Sequence, residues 1–305
     1  MAPKTNMELL RYKYEDETLN FLEETSSIIL GICDRGLEGF QHVLESGFIT
    51  EENNAIVFLF RNFLAILDAI TEAARVPSIE NIQVLSRSLF EIKCNLEFMT
   101  GAEINERAIA YQVYYIREKI KQYQKLDEGT ALGKEFATKW SKDRTFSSMK
   151  KTNYDTKDAI ANLEKQLKSD PWKAMNDRFD LLGRKCEWYT IHSGKTSFYG
   201  LCEYLGYPIS YDFFYGQWSA LLHGKSAYKD NIANQDGTGG IEAIRSLSNY
   251  KTLIGTLIPI VMECYFNVFK SILPDYRDRM VRYYVNILKP KLDSFNLVNI
   301  AMVDP

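Results

Sequence analysis

The chain holds three histidines, and one of them, His223, closes the aromatic stretch YDFFYGQWSALLHG at residues 211–224. An imidazole changes charge near neutral pH, so it can act as general acid or base. A helix over 210–223 sets Asp212, Gly216, Ser219 and His223 on one polar stripe, at steps of 4, 3 and 4. Tyr211, Phe214 (or Tyr215), Trp218 and Leu222 form the packing stripe beside it. His223 falls in the last turn, where the helix dipole favours imidazolium. A charged pair that could work with it is Arg87, with Glu91 four residues on: an arginine can hold an anion, and Glu91 can orient Arg87 or His223.

Each of these groups also has a structural role open to it. His223 could bond Ser219 or a carbonyl and close its helix, and Arg87 with Glu91 could be an ion pair joining central helices. Arg61 and Asp68 lie on a third polar line, Arg61–Ala65–Asp68–Glu72, which could simply face solvent. A hydrolase triad of Ser219, His223 and Asp212 fails, because three groups in line on one helix face offer no sharp nucleophile turn and no oxyanion hole. His192, in WYTIHSGK, reads as a loop residue, and DGTGG lacks the Lys-Ser/Thr of a phosphate loop.

The elements that must carry these residues are helices. Apolar periodicity predicts them over 6–46 (with a break open near Gly31 to Gly36), 51–75, 78–99, 104–127, 153–168, 172–190, 196–205, 210–223, 238–272 and 275–295. Ser78 is placed to cap the third, Pro274 separates the last two, and NQDGTGG at 234–240 is the clearest loop. Helix 78–99 has two faces. Ile82, Leu85, Leu89, Ile92, Leu96 and Met99 step by 3, 4, 3, 4, 3, while Val84, Arg87, Glu91, Cys94 and Phe98 run along the opposite side. Such a helix lies between neighbours, and a charged pair on its second stripe needs a reason.

With 305 residues, 46% hydrophobic, and 19 Tyr and 17 Phe, the chain can fill a large core without disulfide or metal. Five scattered cysteines with no CxxC pair suit buried free thiols. The net charge of −3 argues against indiscriminate nucleic-acid binding. Against that acidity, residues 117–151 hold ten Lys or Arg and five Asp or Glu. Lys139, Lys142, Lys150 and Lys151, interleaved with Tyr123, Trp140 and Phe146, form either an RNA-facing patch or a solvated face. The N-terminus has no apolar core of signal-peptide length, and AIVFLFRNFLAILDAI is too short and too polar to span a bilayer. The expectation is a cytoplasmic protein with no membrane partner and no metal or other cofactor.

FLFRNFLAILDAI, QVLSRSLFEIKCNLEFM, ERAIAYQVYYIREKIKQY and YPISYDFFYGQWSALLHG, in that order, resemble an uncharacterised bacterial family of domains of unknown function. That family carries an Arg-Ser-Leu-Phe-Glu-like motif on one helix and a Ser-x-x-x-His-Gly-like motif on a later one. The resemblance covers roughly residues 50–235, and the family's layout is similar to the HEPN helical superfamily. Many HEPN members are metal-independent ribonucleases in toxin–antitoxin, abortive-infection and antiphage systems, and others only bind. The resemblance implies an HEPN-like helical core over 48–235, with a helical extension at 1–47 and C-terminal helices at 236–305 packing on the core. It further implies a homodimer, an RNA substrate, and a protein partner such as an antitoxin. HEPN nucleases usually carry Arg and His on one helix. Here Gly216, Gln217 and Trp218 occupy the expected positions, so the resemblance implies an arginine from another helix: Arg87 is the candidate to stabilise a pentavalent phosphate, while His223 acts on a ribose 2′-hydroxyl or a leaving 5′-oxygen. The alternative is a non-catalytic interaction or sensor module whose Arg87–Glu91–His223 cluster is structural.

Overall fold

The helical periodicity of the sequence is realised through most of the chain. The computed structural model describes residues 16–76, 78–149, 154–183, 186–216, 218–219, 231–233, 239–241, 247 and 249–294. Among them the order is α1 (Asp16–Glu45), α2 (Ala55–Arg75), α3 (Ile79–Gly101), α4 (Ile104–Leu126), α5 (Ala131–Lys142), α6 (Lys157–Leu167), α7 (Lys173–Leu182), α8 (Thr190–Ser193) and α9 (Phe198–Leu205). A short turn, α10 (Pro208–Ser210), runs into a π-helical turn at Tyr211–Gly216. After the strands β1 (Asn231–Ala233) and β2 (Gly239–Ile241) come α11 (Tyr250–Ile272), α12 (Pro274–Tyr283), a second π-helical turn (Tyr284–Leu288) and α13 (Lys289–Ser294).

Several expectations need correction. The two strands pair antiparallel, with Ile232 opposite Gly240, so the loop expected at 234–240 gives way to strand at its last two residues, and the helix expected from 238 begins at Tyr250. α1 runs without a break through Gly31 and Gly36. The helix expected over 172–190 stops at Leu182, where Gly183 takes a positive φ of 80° and turns the chain out of helical geometry. Helix α5 was not expected. Its N-cap Thr130 accepts a hydrogen bond from the Gly133 amide. A Cβ at Gly133 would collide with the carbonyl of Asp127, so this tight turn between α4 and α5 needs glycine. Ser78 stands at the N-cap of α3, but its side chain makes no capping bond.

The chain forms two compact units that are not consecutive in sequence: Met1–Thr50, Ile56–Ala102 and Cys202–Pro305 in one, Glu51–Ala55 and Glu103–Leu201 in the other. In the first, α11 packs most extensively against α3 and also meets α1 and α12. Its aromatic core joins Phe60, Phe63, Tyr265 and Phe269, with ring centroids 5.4–6.3 Å apart. The buried phenols are satisfied by backbone: Tyr265 Oη donates to the Ile32 carbonyl at 3.3 Å and Tyr250 Oη to that of Ala74 at 2.9 Å. Helix α11 is long and apolar enough to cross a membrane, but 72% of that window is buried in protein, as in a core helix.

In the second unit, Ile109, Val113, Ile116 and Ile120 of α4 meet Leu167 of α6 and Met175 and Phe179 of α7. The Trp172 indole reaches Gln112 Oε1 at 2.8 Å. Helix α5 folds back on α4.

Candidate functional site

Helix α3 is the centre of the first unit, and its faces do not divide as its apolar residues suggest. Ile82, Leu89, Leu96 and Met99 are buried, and so are Cys94 and Phe98 of the second stripe. Val84, Arg87 and Glu91, also of the second stripe, are half-buried. The remaining buried line is polar but for Phe90: Ser86, Phe90, Lys93, Glu97 and Thr100, at steps of 4, 3, 4 and 3. The buried ion pair of this helix is therefore Lys93–Glu97. No ion pair joins Arg87 to Glu91 among the described residues.

Lys93 Nζ lies 3.0 Å from Glu97 Oε1 and 3.1 Å from Glu263 Oε2 of α11. It also stands 3.6 Å from the centroid of the Tyr207 ring, and Tyr207 Oη donates to Glu97 Oε2 at 2.9 Å. Burial works against the Lys93 charge, but Glu97, Tyr207 and Glu263 outweigh it and hold the ammonium charged well past its ordinary range. Burial pushes Glu97 above the usual carboxylate range, by more than Lys93 and the Tyr207 bond return. Beside the cluster, Cys94 and Cys202 bring their Sγ atoms to 4.0 Å, both fully buried. Burial raises the Cys94 thiol well above its ordinary value, so it is no nucleophile at neutral pH.

Arg87 has a different setting. Its guanidinium carbon stands 4.1 Å from the centroid of Tyr215, which stacks on Tyr211 at 5.0 Å. Among the described residues, Arg87 Nε is buried without a hydrogen-bond partner, as are Gln83 Oε1 and Ser86 Oγ within the adjoining turn. Tyr211 and Tyr215 belong to the π-helical turn Tyr211–Gly216, which packs on α3. That turn adds a residue to each i→i+5 ring and so breaks the 3.6-residue stripes expected over 210–223. Trp218 is buried and lies 4.9 Å from Phe214, ring to ring, and Phe214 lies 6.0 Å from Phe90. Asp212 is exposed and Ser219 half-buried. His223, Lys150 and Lys151 lie outside the described residues.

Arg61 and Asp68 are both exposed on α2, with Arg61 Nη1 on Asn62 Oδ1 at 3.4 Å. Lys139 and Lys142 are exposed on α5, Lys139 paired with Glu135 at 2.6 Å. Trp140 packs between Phe136 and Phe146, with centroids 5.9 and 4.8 Å away. His192 is not a loop residue but sits in α8, its side chain 5% exposed and its Nδ1 3.1 Å from Glu103 Oε2. Among the described residues, no group of three or more His, Cys, Asp and Glu side chains is placed to hold a metal ion.

These features define a multi-helix protein, helical apart from one short strand pair among the described residues, with a mostly polar line through its central helix. Residues 53–239 match DUF5677, a family of unknown function. The match takes in more than half of the chain, and the chain belongs to this family. No curated protein and no solved structure matches it significantly.

Proposed function

We propose that the chain is an HEPN-like, metal-independent endoribonuclease of the toxin-effector type, acting in the cytoplasm as a homodimer in antiphage defence and held in check by a protein partner. His223 serves as acid and base, Arg87 as phosphate ligand and Glu91 as orienting group, with Ser219 and Asp212 in support. The observation that carries this is the Arg87–Tyr215 contact at 4.1 Å. It brings the first motif against the segment that leads, eight residues later, to the histidine of the second. The π-helical turn in that segment adds to it, since such turns recur at functional sites.

Purified protein incubated with mixed RNAs in a chelator tests the proposal. Cleavage by wild type that falls roughly 10²-fold or more in His223→Ala, and falls also in Arg87→Ala, is the expected result. RNA left intact by wild type refutes it.

A second reading, a non-catalytic interaction or sensor module, is favoured by the Lys93–Glu97–Glu263–Tyr207 cluster. It accounts for the deepest charges in the unit as a tie between α3 and α11, with no chemistry.

A further inference from the structure

Helix α1 (Asp16–Glu45) buries one side in the first unit and leaves four leucines in solvent. Leu19, Leu30, Leu37 and Leu44 are 47, 36, 50 and 52% exposed. Their spacings of 11, 7 and 7 residues set them within about 40° of one another on a helix, as one row about 38 Å long. The core does not need this row, since its own side of α1 is filled by Leu22, Ile29, Ile32, Gly36 and Val43. Single exposed leucines are ordinary, whereas a row of them on one face marks a surface that meets a partner.

What lies beside the row selects the partner. Asp16, Glu23, Asp34 and Glu45 are exposed and run parallel to it, roughly 60° round the helix on the solvent side. Among the described residues none of the four has a cation partner, and Glu45 takes a neutral bond from Gln41 at 2.8 Å. Arg35, the only Lys or Arg of α1, is tied to Glu38 at 2.6 Å. An anionic lipid surface is repelled by this flank. A second copy of α1 brings four more carboxylates and no unpaired cation. A basic amphipathic helix answers both features, with apolar residues for the leucines and Lys or Arg for the carboxylates.

We infer that the leucine row of α1 and its acidic flank dock a basic amphipathic helix of a partner protein, about 25 residues long to cover the row. This gives the protein partner of the proposed function a chemistry. What the docking controls rests on that reading, but the docking itself is measured without RNA and stands or falls apart from ribonuclease activity.

Fluorescence anisotropy with two labelled four-heptad peptides tests it. Both carry leucine at a and d, one with lysine and the other with glutamate at e and g, so that neither pairs with itself. Wild type should bind the lysine peptide saturably and about tenfold or more tighter than the glutamate peptide, with the difference shrinking as salt rises. Leu30→Gln with Leu37→Gln should weaken the lysine peptide by about tenfold or more. Glu23→Lys with Asp34→Lys should turn the preference towards the glutamate peptide, a gain that a misfolded variant cannot produce. The inference is overturned if wild type fails to bind the lysine peptide, binds both peptides alike, or loses nothing in the leucine variant. Two further results also overturn it. A wild-type dimer that the leucine variant makes monomeric in sedimentation assigns the row to a second copy. Binding to phosphatidylcholine–phosphatidylglycerol vesicles that the same variant abolishes assigns it to a membrane.

Discussion

Lys93 and Glu97 form an ion pair one helical turn apart, 3.0 Å from Nζ to Oε1, with their side chains 1% and 6% exposed. Charges at that depth cost several kcal/mol each in lost hydration, and removing one partner strands the other. Glu97→Gln should therefore lower stability by about 3–5 kcal/mol. The double change Lys93→Met with Glu97→Leu should cost less than Glu97→Gln alone, because it removes both charges and keeps the volume. Glu263 is 43% exposed, and its pairing is screened, so Glu263→Gln should cost about 1 kcal/mol or less. Urea midpoints at constant m-value give this ranking.

Gly36 and Gly31 lie on one helix and predict opposite outcomes. A Cβ at Gly36 would run into the Tyr265 hydroxyl and Leu64, whereas one at Gly31 meets only Tyr283 Oη at an ordinary 3.5 Å. Alanine is the better helix former by about 1 kcal/mol, but overpacking costs about 1–3 kcal/mol. Gly31→Ala should raise the melting temperature or leave it unchanged, and Gly36→Ala should lower it.

His192 gives a pH dependence with a definite sign. Burial and then Arg178 lower its pKa, with Arg107 adding to this, against the hydrogen bond and charge of Glu103. The unfolded chain, with an imidazole near about 6.5, then binds more protons than the folded one, so stability rises with pH. The contribution is fully present above the unfolded value and is lost as pH falls towards the folded one. Melting temperatures of wild type and His192→Gln between pH 8 and pH 5 should converge as the solution becomes more acid. A constant difference would count against it.

The basic segment 117–151 predicts a salt effect. Reversing Lys139, Lys142, Lys150 and Lys151 to Glu should weaken RNA binding and flatten its dependence on salt. Trp140→Ala should weaken it by about 1–3 kcal/mol if a base stacks there. Binding that is unchanged in both variants would leave the segment a solvated face.

Periodicity is a local property, and what depends on it was legible in the sequence: the helical class, the two-sided burial of α3, and the solvent-facing position open to Arg61 and Asp68. Local signals failed where a helix rests on one close contact. Helix α5 depends on Thr130 and on a Gly133 pressed against the Asp127 carbonyl, and neither stands out in a charged segment. The π-helical turn Tyr211–Gly216 was equally hidden, since one extra residue in a turn leaves no trace in composition. The choice between the two charged pairs of α3 was beyond any reading of the helix alone. Arg87–Glu91 and Lys93–Glu97 share the same spacing, and the segment determines only that both pairs can form. Which one is buried is decided by Tyr207 and by Glu263, 114 and 170 positions beyond Lys93, because a charge leaves water only where the tertiary structure returns it partners.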